Sequence, residues 1–402
     1  MSHAIHRTLA AQLGDAVTLD PSGLPRVAPA STDALATALG VANEHRWRVR
    51  IEGRGTWMPA DAPADLAVTT RRLDRITSVA SADLVATVQA GVGIGALAHA
   101  LATHRAWLAL DPPGAPERSI GSVLATATSG PARYRFGTVR DHVLGTTVVT
   151  GDGRVVRAGG SVVKNVAGYD LTKLQVGGFG AFGVIADVNL RLRTLPAARL
   201  LLTATGQLDA LFHTGRALVD ASIDATSIEL LSPGVTNRAD WMLLVELAGT
   251  EAGVDAELAR TAALAPVLRP LPESDAGIAT ALAQAFLEGP ISLRAGALPP
   301  SLPALADAVE LQLGAGRMSL GVGGGGFRWA GNASIPDLLD FRRSLAEQEV
   351  PLTIERAPWS VRQTIGHFGA FREGVGALTN RLRAVFDPSN ILAAPLEEQR
   401  DG

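Results

Sequence analysis

The sequence predicts an α+β fold in two domains, on three observations. At 402 residues the chain exceeds what one hydrophobic core usually serves. From Ile51 to Gly183 short β-branched runs alternate with turns, and 19 of the 43 glycines fall there. After Pro196 longer strand-like runs alternate with Ala/Leu-rich helical patterns. A boundary is therefore expected near Pro196. It separates a first domain, 1–196, from a smaller α+β cap, 197–402, whose C-terminal segment has the option of returning to the first domain.

In chain order, Thr32 to Glu44 reads as a helix, with Ser31-Thr32-Asp33 offering an N-cap. "RVRIEG" and "LVATVQAG" read as strands, Ile94 to His104 as a helix, and "TTVVTGDG", "RVVRAGG" and "GVIADVNLRLRTLP" as further strands. In the second half, "ARLLLTATGQ", "ATSIELLSP" and "WMLLVELAG" are strands, with helices from Leu208 to Asp220 and Glu251 to Leu264. "VGGGGFRWAG", Val322 to Gly331, reads as a Gly-rich turn joining two strands.

Composition removes several functions. Hydrophobic residues make up 47% and charged ones 19%, enough apolar material for a large core. Lys+Arg at 36 against Asp+Glu at 39 leaves a formal charge of −3, with no basic run of the kind that grips nucleic acid. Cysteine is absent, so the chain can form no disulfide, thiolate nucleophile or Cys-ligated iron–sulfur cluster. Lack of disulfides fits the cytoplasm. No signal peptide is read in "MSHAIHRTLAAQLGD", and no apolar run approaches the roughly 18 residues of a membrane span.

The glycine density calls for a cause, because each Gly in a regular element costs roughly 0.5–1 kcal/mol of backbone entropy. "GVGIGA", Gly91 to Ala96, fits a dinucleotide fingerprint with Asp111 beyond it. That acid runs straight into "PPGAP", however, so the segment reads as a tight strand-to-helix turn. "IEGRGTWMPAD" places Gly-x-Gly-Thr after a strand, where successive backbone N–H groups can face one anion. "LDPPGAPERSIGSVLATATSGPARYRFGTVRDHVLG" adds amides, hydroxyls and the arginines Arg118, Arg133, Arg135 and Arg140, a set suited to phosphate oxygens.

These stretches, followed by "GDGRVVRAGGSVVKNVAGYDLTKLQVGGFGAFGVIADVNLRLRTLP", resemble the flavin domain of the vanillyl-alcohol-oxidase/PCMH-type FAD flavoproteins, and more closely the FAD-binding subunit of glycolate oxidase. The resemblance covers roughly Ala28 to Pro196. It implies a PCMH-type domain of two small α+β subdomains with FAD between them, and the FAD is expected to be non-covalent because Cys is absent and neither "EGRGTWMP" nor "PPGAPERSIGS" contains the His that covalent members use. The implied contacts are Gly53, Arg54, Gly55 and Thr56 at the pyrophosphate. Pro113, Gly114, Ser119, Ile120, Gly121, Ser122, Thr126, Ser129, Gly130 and Gly137 would line pyrophosphate, ribityl and ring. Gly183, Val184 and Ile185 would hold the adenine end. Lys164 and Asn165 would either reach the cofactor or tie down their loop, and Tyr169 reads as a buried anchor. Two departures stand out. The family's Arg-Gly-Gly-Gly-Thr is here Glu52-Gly53-Arg54-Gly55-Thr56, and Ala393 stands where relatives place an Asn near the flavin.

Catalytic groups are not identified. The second half holds only His213 and His367, with no His-x-His pair, and the single arginines Arg294, Arg328 and Arg356 are candidates for a carboxylate. No metal ligands are read. The resemblance implies an FAD subunit of a glycolate oxidase complex acting on a small 2-hydroxy acid. Its partners would be a catalytic flavoprotein subunit and an iron–sulfur subunit, with any membrane contact made through them. The rival expectations are a self-sufficient FAD-dependent 2-hydroxy-acid dehydrogenase and a flavin-free structural subunit.

Overall fold

The structure is a computed structural model, described here for residues 1–160, 171–369 and 373–393. Lys164, Asn165 and Tyr169 lie outside the described residues. The first sheet has the order β1 (Val17–Leu19), β2 (Pro25–Val27), β4 (Leu66–Thr69), β3 (Val49–Glu52), and β2, β4 and β3 run parallel. Parallel pairing needs a covered crossover. The helix Thr32–His45 supplies it between β2 and β3, with Ser31 Oγ accepting from the Ala34 N–H at 3.1 Å. Leu35, Leu39 and Ala42 of that helix are fully buried against the sheet.

The second sheet is antiparallel, in the order β5 (Ile76–Ala80), β6 (Val85–Gln89), β10 (Val184–Arg191), β8 (Val143–Val149), β9 (Val155–Gly159). Between its strands lies β7 (Ala106–Trp107), which pairs with β11 (Arg193–Thr194). Since β6 pairs antiparallel on both sides, "GVGIGA" cannot be a Rossmann turn. Gly91 instead packs under the Thr70 and Leu73 carbonyls, where a Cβ would collide, and its N–H donates to the Leu73 carbonyl at 2.7 Å.

From Ala198 onward the chain builds one eight-stranded antiparallel sheet. Its strands are β12 (Ala198–Gly206), β13 (Ala225–Leu231), β14 (Trp241–Gly249), β15 (Arg269–Pro270), β16 (Ile291–Gly296), β17 (Arg317–Gly321), β18 (Gly326–Gly331) and β19 (Leu352–Arg356), in the order β15-β12-β14-β13-β17-β18-β16-β19. The helices Leu208–Asp220 and Glu251–Leu264 occupy the spans read from sequence, and "VGGGGFRWAG" is the β17–β18 hairpin. The helices Leu208–Asp220, Leu302–Leu313 and Ile335–Glu347 bury one face of this sheet. Side chains alternate along a strand, so Ile228 and Leu230 enter that core while Glu229 points to the opposite face. Ser319, Arg328, Arg294 and Glu355 contact Glu229 or one another there, toward the first half of the chain.

After the helix Val375–Phe386 the chain returns to the first sheet. Val49 bridges Leu392 in parallel, the Ala393 N–H donates to the Val49 carbonyl at 2.9 Å, and Ile391 and Leu392 join the core of the first sheet. The turn is held by Asp387, 2% exposed, whose carboxylate accepts from the N–H groups of Ile391 (3.0 Å) and Leu392 (2.9 Å). Asp387→Ala would strand both donors in the interior, and an unsatisfied buried donor costs about 1–3 kcal/mol. Urea unfolding of the variant is expected to show a loss of about 2–4 kcal/mol; a loss below about 0.5 kcal/mol would remove this role.

Candidate functional site

A deep cleft opens between the first two sheets. It has about 1080 Å³ of empty space including its solvent-open mouth. One wall is the loop after β3, from Gly53 to Ala62. The other combines Gly121, Ser122, Ala125 and Thr126 with Gly183, Val184 and Ile185. The loop adopts no regular structure, because Gly55 sits at φ +75°. Among the described residues, the backbone N–H groups of Arg54, Gly55, Thr56 and Trp57 donate to no protein acceptor. Four consecutive amides without partners, in a cleft wall, form a receptor for an anion. The Arg54 side chain turns aside to the Gly91 carbonyl (3.2 Å), while its own carbonyl accepts from Arg71 Nη2 (2.7 Å). Arg50, Arg54 and Arg362 line the cleft against a single acid, Glu52, which is itself paired with Arg50 (2.8 Å) and Arg26 (3.0 Å).

Gly53, Arg54, Gly55, Thr56, Gly121, Ser122, Thr126, Gly183, Val184 and Ile185 line this cleft. Pro113, Gly114, Ser119, Ile120, Ser129, Gly130 and Gly137 stand behind or beside it. Ser119 caps the helix Ile120–Thr126, and its Oγ would lie 2.5 Å from a Cβ on Gly53. The first two amides of that helix serve the fold, with Ile120 donating to the Val92 carbonyl (2.9 Å) and Gly121 to that of Ala90 (2.8 Å). Gly114, at φ +83°, faces the Trp57 ring, and the Pro113 carbonyl accepts from Arg118 (3.0 Å). Ser129 Oγ accepts from the Val139 N–H at 3.1 Å. Gly130 packs on the Asp111 backbone and Gly137 on the Asp141 carboxylate.

Three cleft residues come from far along the chain. Ala393 reaches it through the returning C-terminal segment. Arg362 is anchored by Asp61 and by the Ala357 carbonyl (2.8 Å). His367, 3% exposed, is fixed by its Nδ1 on the Ile354 carbonyl (2.7 Å), leaving Nε2 as the ring's remaining nitrogen. Burial pushes its pKa down to about 4, against that carbonyl, so the imidazole is neutral at pH 7. The expectation of non-covalent flavin rested on two loops without His, and His367 is a cleft histidine outside both.

Behind the cleft lies a buried charge network at the seam with the eight-stranded sheet. Arg118, fully buried, donates to Thr126 Oγ1 (2.6 Å), Thr128 Oγ1 (3.0 Å) and the Pro113 carbonyl, and lies 4.0 Å from the Trp57 ring centroid. Burial lowers its pKa to about 9, so it stays charged. Glu355 receives Arg294 (2.9 Å) and Thr128 (3.3 Å) on Oε1 and Arg328 (3.0 Å) on Oε2. Burial would raise this carboxyl, but Arg328 and Arg294 outweigh it and hold it at about 2. Arg294 and Arg328 also donate to the Ala127 (3.0 Å) and Ser129 (2.6 Å) carbonyls, tying the sheet to the loop that backs the cleft.

The cleft and seam belong to a known class. A family profile described as "FAD binding domain" matches residues 25–159. Bacillus subtilis glycolate oxidase subunit GlcD is 27% identical over 254 residues, 59% of this chain and 54% of that protein. Escherichia coli glycolate oxidase subunit GlcE is 40% identical over 121 residues, 30% of this chain and 35% of that protein. The chain thus spans about half the length of one relative and about a third of the other. The solved structure of p-cresol methylhydroxylase with substrate bound superposes with a TM-score of 0.78 at 13% identity, over 98% of this chain and 96% of that one, which speaks for the fold. The protein is an FAD-binding flavoprotein. Over part of its length it is related in sequence to glycolate oxidase subunits, and it shares the fold of p-cresol methylhydroxylase. The reading as a flavin-free subunit falls away. The partnerless amides of 54–57 fit the cofactor's pyrophosphate.

Two predictions follow from this geometry. A Cβ on Gly121 would lie 2.8 Å from the Ala90 Cβ and 2.9 Å from its carbonyl, so Gly121→Val is expected to destabilise the fold as well as to lose flavin. Gly55→Asn is the cleaner probe, because nothing lies within 4 Å of a Cβ there and Asn tolerates positive φ. It should purify with the wild-type circular dichroism spectrum and less than half the FAD; full FAD occupancy would take the loop out of cofactor binding. The second prediction concerns Glu229, 6% exposed, whose Oε2 accepts from Ser319 Oγ at 3.0 Å. Burial raises its pKa from 4.5 to about 7. Its contribution to stability is full below 4.5 and is lost as pH rises through 7. Glu229→Gln should therefore shrink the fall in melting temperature between pH 5 and pH 8, and an unchanged fall would assign it to other groups.

Proposed function

We propose that this chain is the FAD-binding subunit of a glycolate-oxidase-type oxidoreductase, passing electrons between a catalytic flavoprotein subunit and an iron–sulfur subunit in the cytoplasm. The observation that carries this reading is the likeness to the E. coli subunit, 40% identical over 121 residues. The absence of cysteine agrees with it, since a chain that can ligate no cluster must hand electrons to another. Among the described residues no helix is long and apolar enough to cross a membrane.

Bound FAD supplies acceptance of a hydride or of single electrons. The chain's own residues hold and tune it. The amides of Arg54 to Trp57 would receive the pyrophosphate, Gly121, Ser122 and Thr126 would line the ribityl, and Gly183, Val184 and Ile185 the adenine end. Arg118, behind Ser122 and Thr126, puts a buried positive charge against the cleft floor, where it favours an anionic cofactor. His367 offers a neutral, oriented imidazole that can take a proton. That imidazole also favours a second reading, a self-sufficient 2-hydroxy-acid dehydrogenase, since a positioned base typically contributes about 10²–10⁴-fold.

The test is to mix the purified protein anaerobically with millimolar glycolate or D-lactate and follow the flavin band. No bleaching alone, and bleaching once the catalytic subunit is added, is the expected result. Bleaching within seconds by the isolated chain would replace the subunit reading with the dehydrogenase. Acid precipitation of the same sample should release all yellow colour, and colour in the pellet would point to a covalent link, with His367 as its first candidate.

A further inference from the structure

Separate from the FAD cleft, the seam encloses a pocket lined by Arg133, Arg294, Arg328, Glu229, Ser319 and Tyr134. It has about 440 Å³ of empty space including its mouth and shares no lining residue with the cleft. The glycine hairpin between β17 and β18 makes the room. Gly323 lets the Tyr134 ring pack flat on the backbone, and a Cβ on Gly326 would lie 3.4 Å from Arg133 Nη1. The pocket is over-supplied with cations. Its lining holds three arginines, Arg133, Arg294 and Arg328, against one carboxyl, Glu229, and Arg294 and Arg328 also share the buried Glu355 behind it. Arg133 stands exposed at the mouth, and its guanidinium makes no hydrogen bond or ion pair with any described residue. An unpaired guanidinium at the mouth of an arginine-lined pocket attracts an anion.

The pocket does not end there. Pro131, Glu229, Ser319 and Arg328 also line an adjoining cavity of about 1580 Å³, measured with its mouth, whose walls include Leu200, Leu201, Leu244, Leu271, Leu282 and Phe286. One end carries three arginines; the other has a leucine-rich wall, with Asp111, Arg199, Glu246 and Glu273 also in its lining. We propose that the seam binds a small monocarboxylic acid with an apolar tail, its carboxylate on Arg133 and Arg328 and its tail along the leucine wall. This goes beyond the redox reading and rests on the seam alone.

Titration calorimetry on the FAD-loaded protein with acetate, butyrate and hexanoate tests it, with sulfate as the comparison anion. None of the three acids is a 2-hydroxy acid, so binding is read apart from turnover. Affinity should rise about fourfold for each methylene buried. Arg133→Gln should weaken hexanoate at least about tenfold at unchanged flavin content. Leu271→Gln should abolish the chain-length preference while leaving acetate binding in place. Equal affinity for sulfate and hexanoate, no dependence on chain length, or wild-type binding in Arg133→Gln would each overturn the proposal. Failure of glycolate to bleach the flavin even with the catalytic subunit added would count against the redox reading and leave this one standing.

Discussion

Glu355 is the residue on which the joining of the two halves depends. A carboxylate with no solvent exposure is expensive unless every lone pair is met, and here two arginines and a threonine meet them. The same two arginines reach the carbonyls of Ala127 and Ser129, so one buried charge fixes the eight-stranded sheet against the loop that backs the cleft. Removing one member of such a network leaves uncompensated charge and typically costs about 3–5 kcal/mol. The helix Ile120–Thr126 is gripped from behind by the same cluster through Arg118, so the cleft wall and the seam are mechanically one object.

That coupling divides the work between two kinds of surface. The cleft wall is largely backbone, with glycines, free amides and few charges, and it suits a long cofactor held at many points. The sheet face is largely side chain, with Arg, Glu and Ser projecting from alternate positions of adjacent strands. A sheet rigid enough to hold such groups in register gives the precision that polar recognition needs.

The sequence made local features legible and distant ones invisible. Gly53 to Thr56 could be read because a strand, two glycines and a threonine fall within a few residues, and the helix beginning at Thr32 announced itself through the Ser31 cap. Gly130 and Gly137 were harder. A glycine that lets backbone approach a ligand and one that lets it approach Asp111 or Asp141 are the same letter. Arg362 carried no signal, His367 was only one of two histidines in the second half, and Ala393 was named only through the resemblance, because all three arrive by tertiary packing; the Arg362–Asp61 pair alone spans 301 residues. The antiparallel β6–β10 pairing that rules out the fingerprint at Gly91 is likewise a long-range fact.

The return of the chain at Asp387 bears on the order of events during synthesis. Ala393 supplies part of the cleft, and Leu392 pairs with a strand made some 340 residues earlier. On a ribosome the first two sheets emerge and can collapse long before those residues exist. The site then stands open along one side while the entire eight-stranded sheet is translated. Cofactor captured in that interval would meet an unfinished wall, so retention begins only when the last strand-like residues dock. A chain clipped before Asp387 would lack Leu392 and Ala393, and with them the part of the cleft wall that closes last.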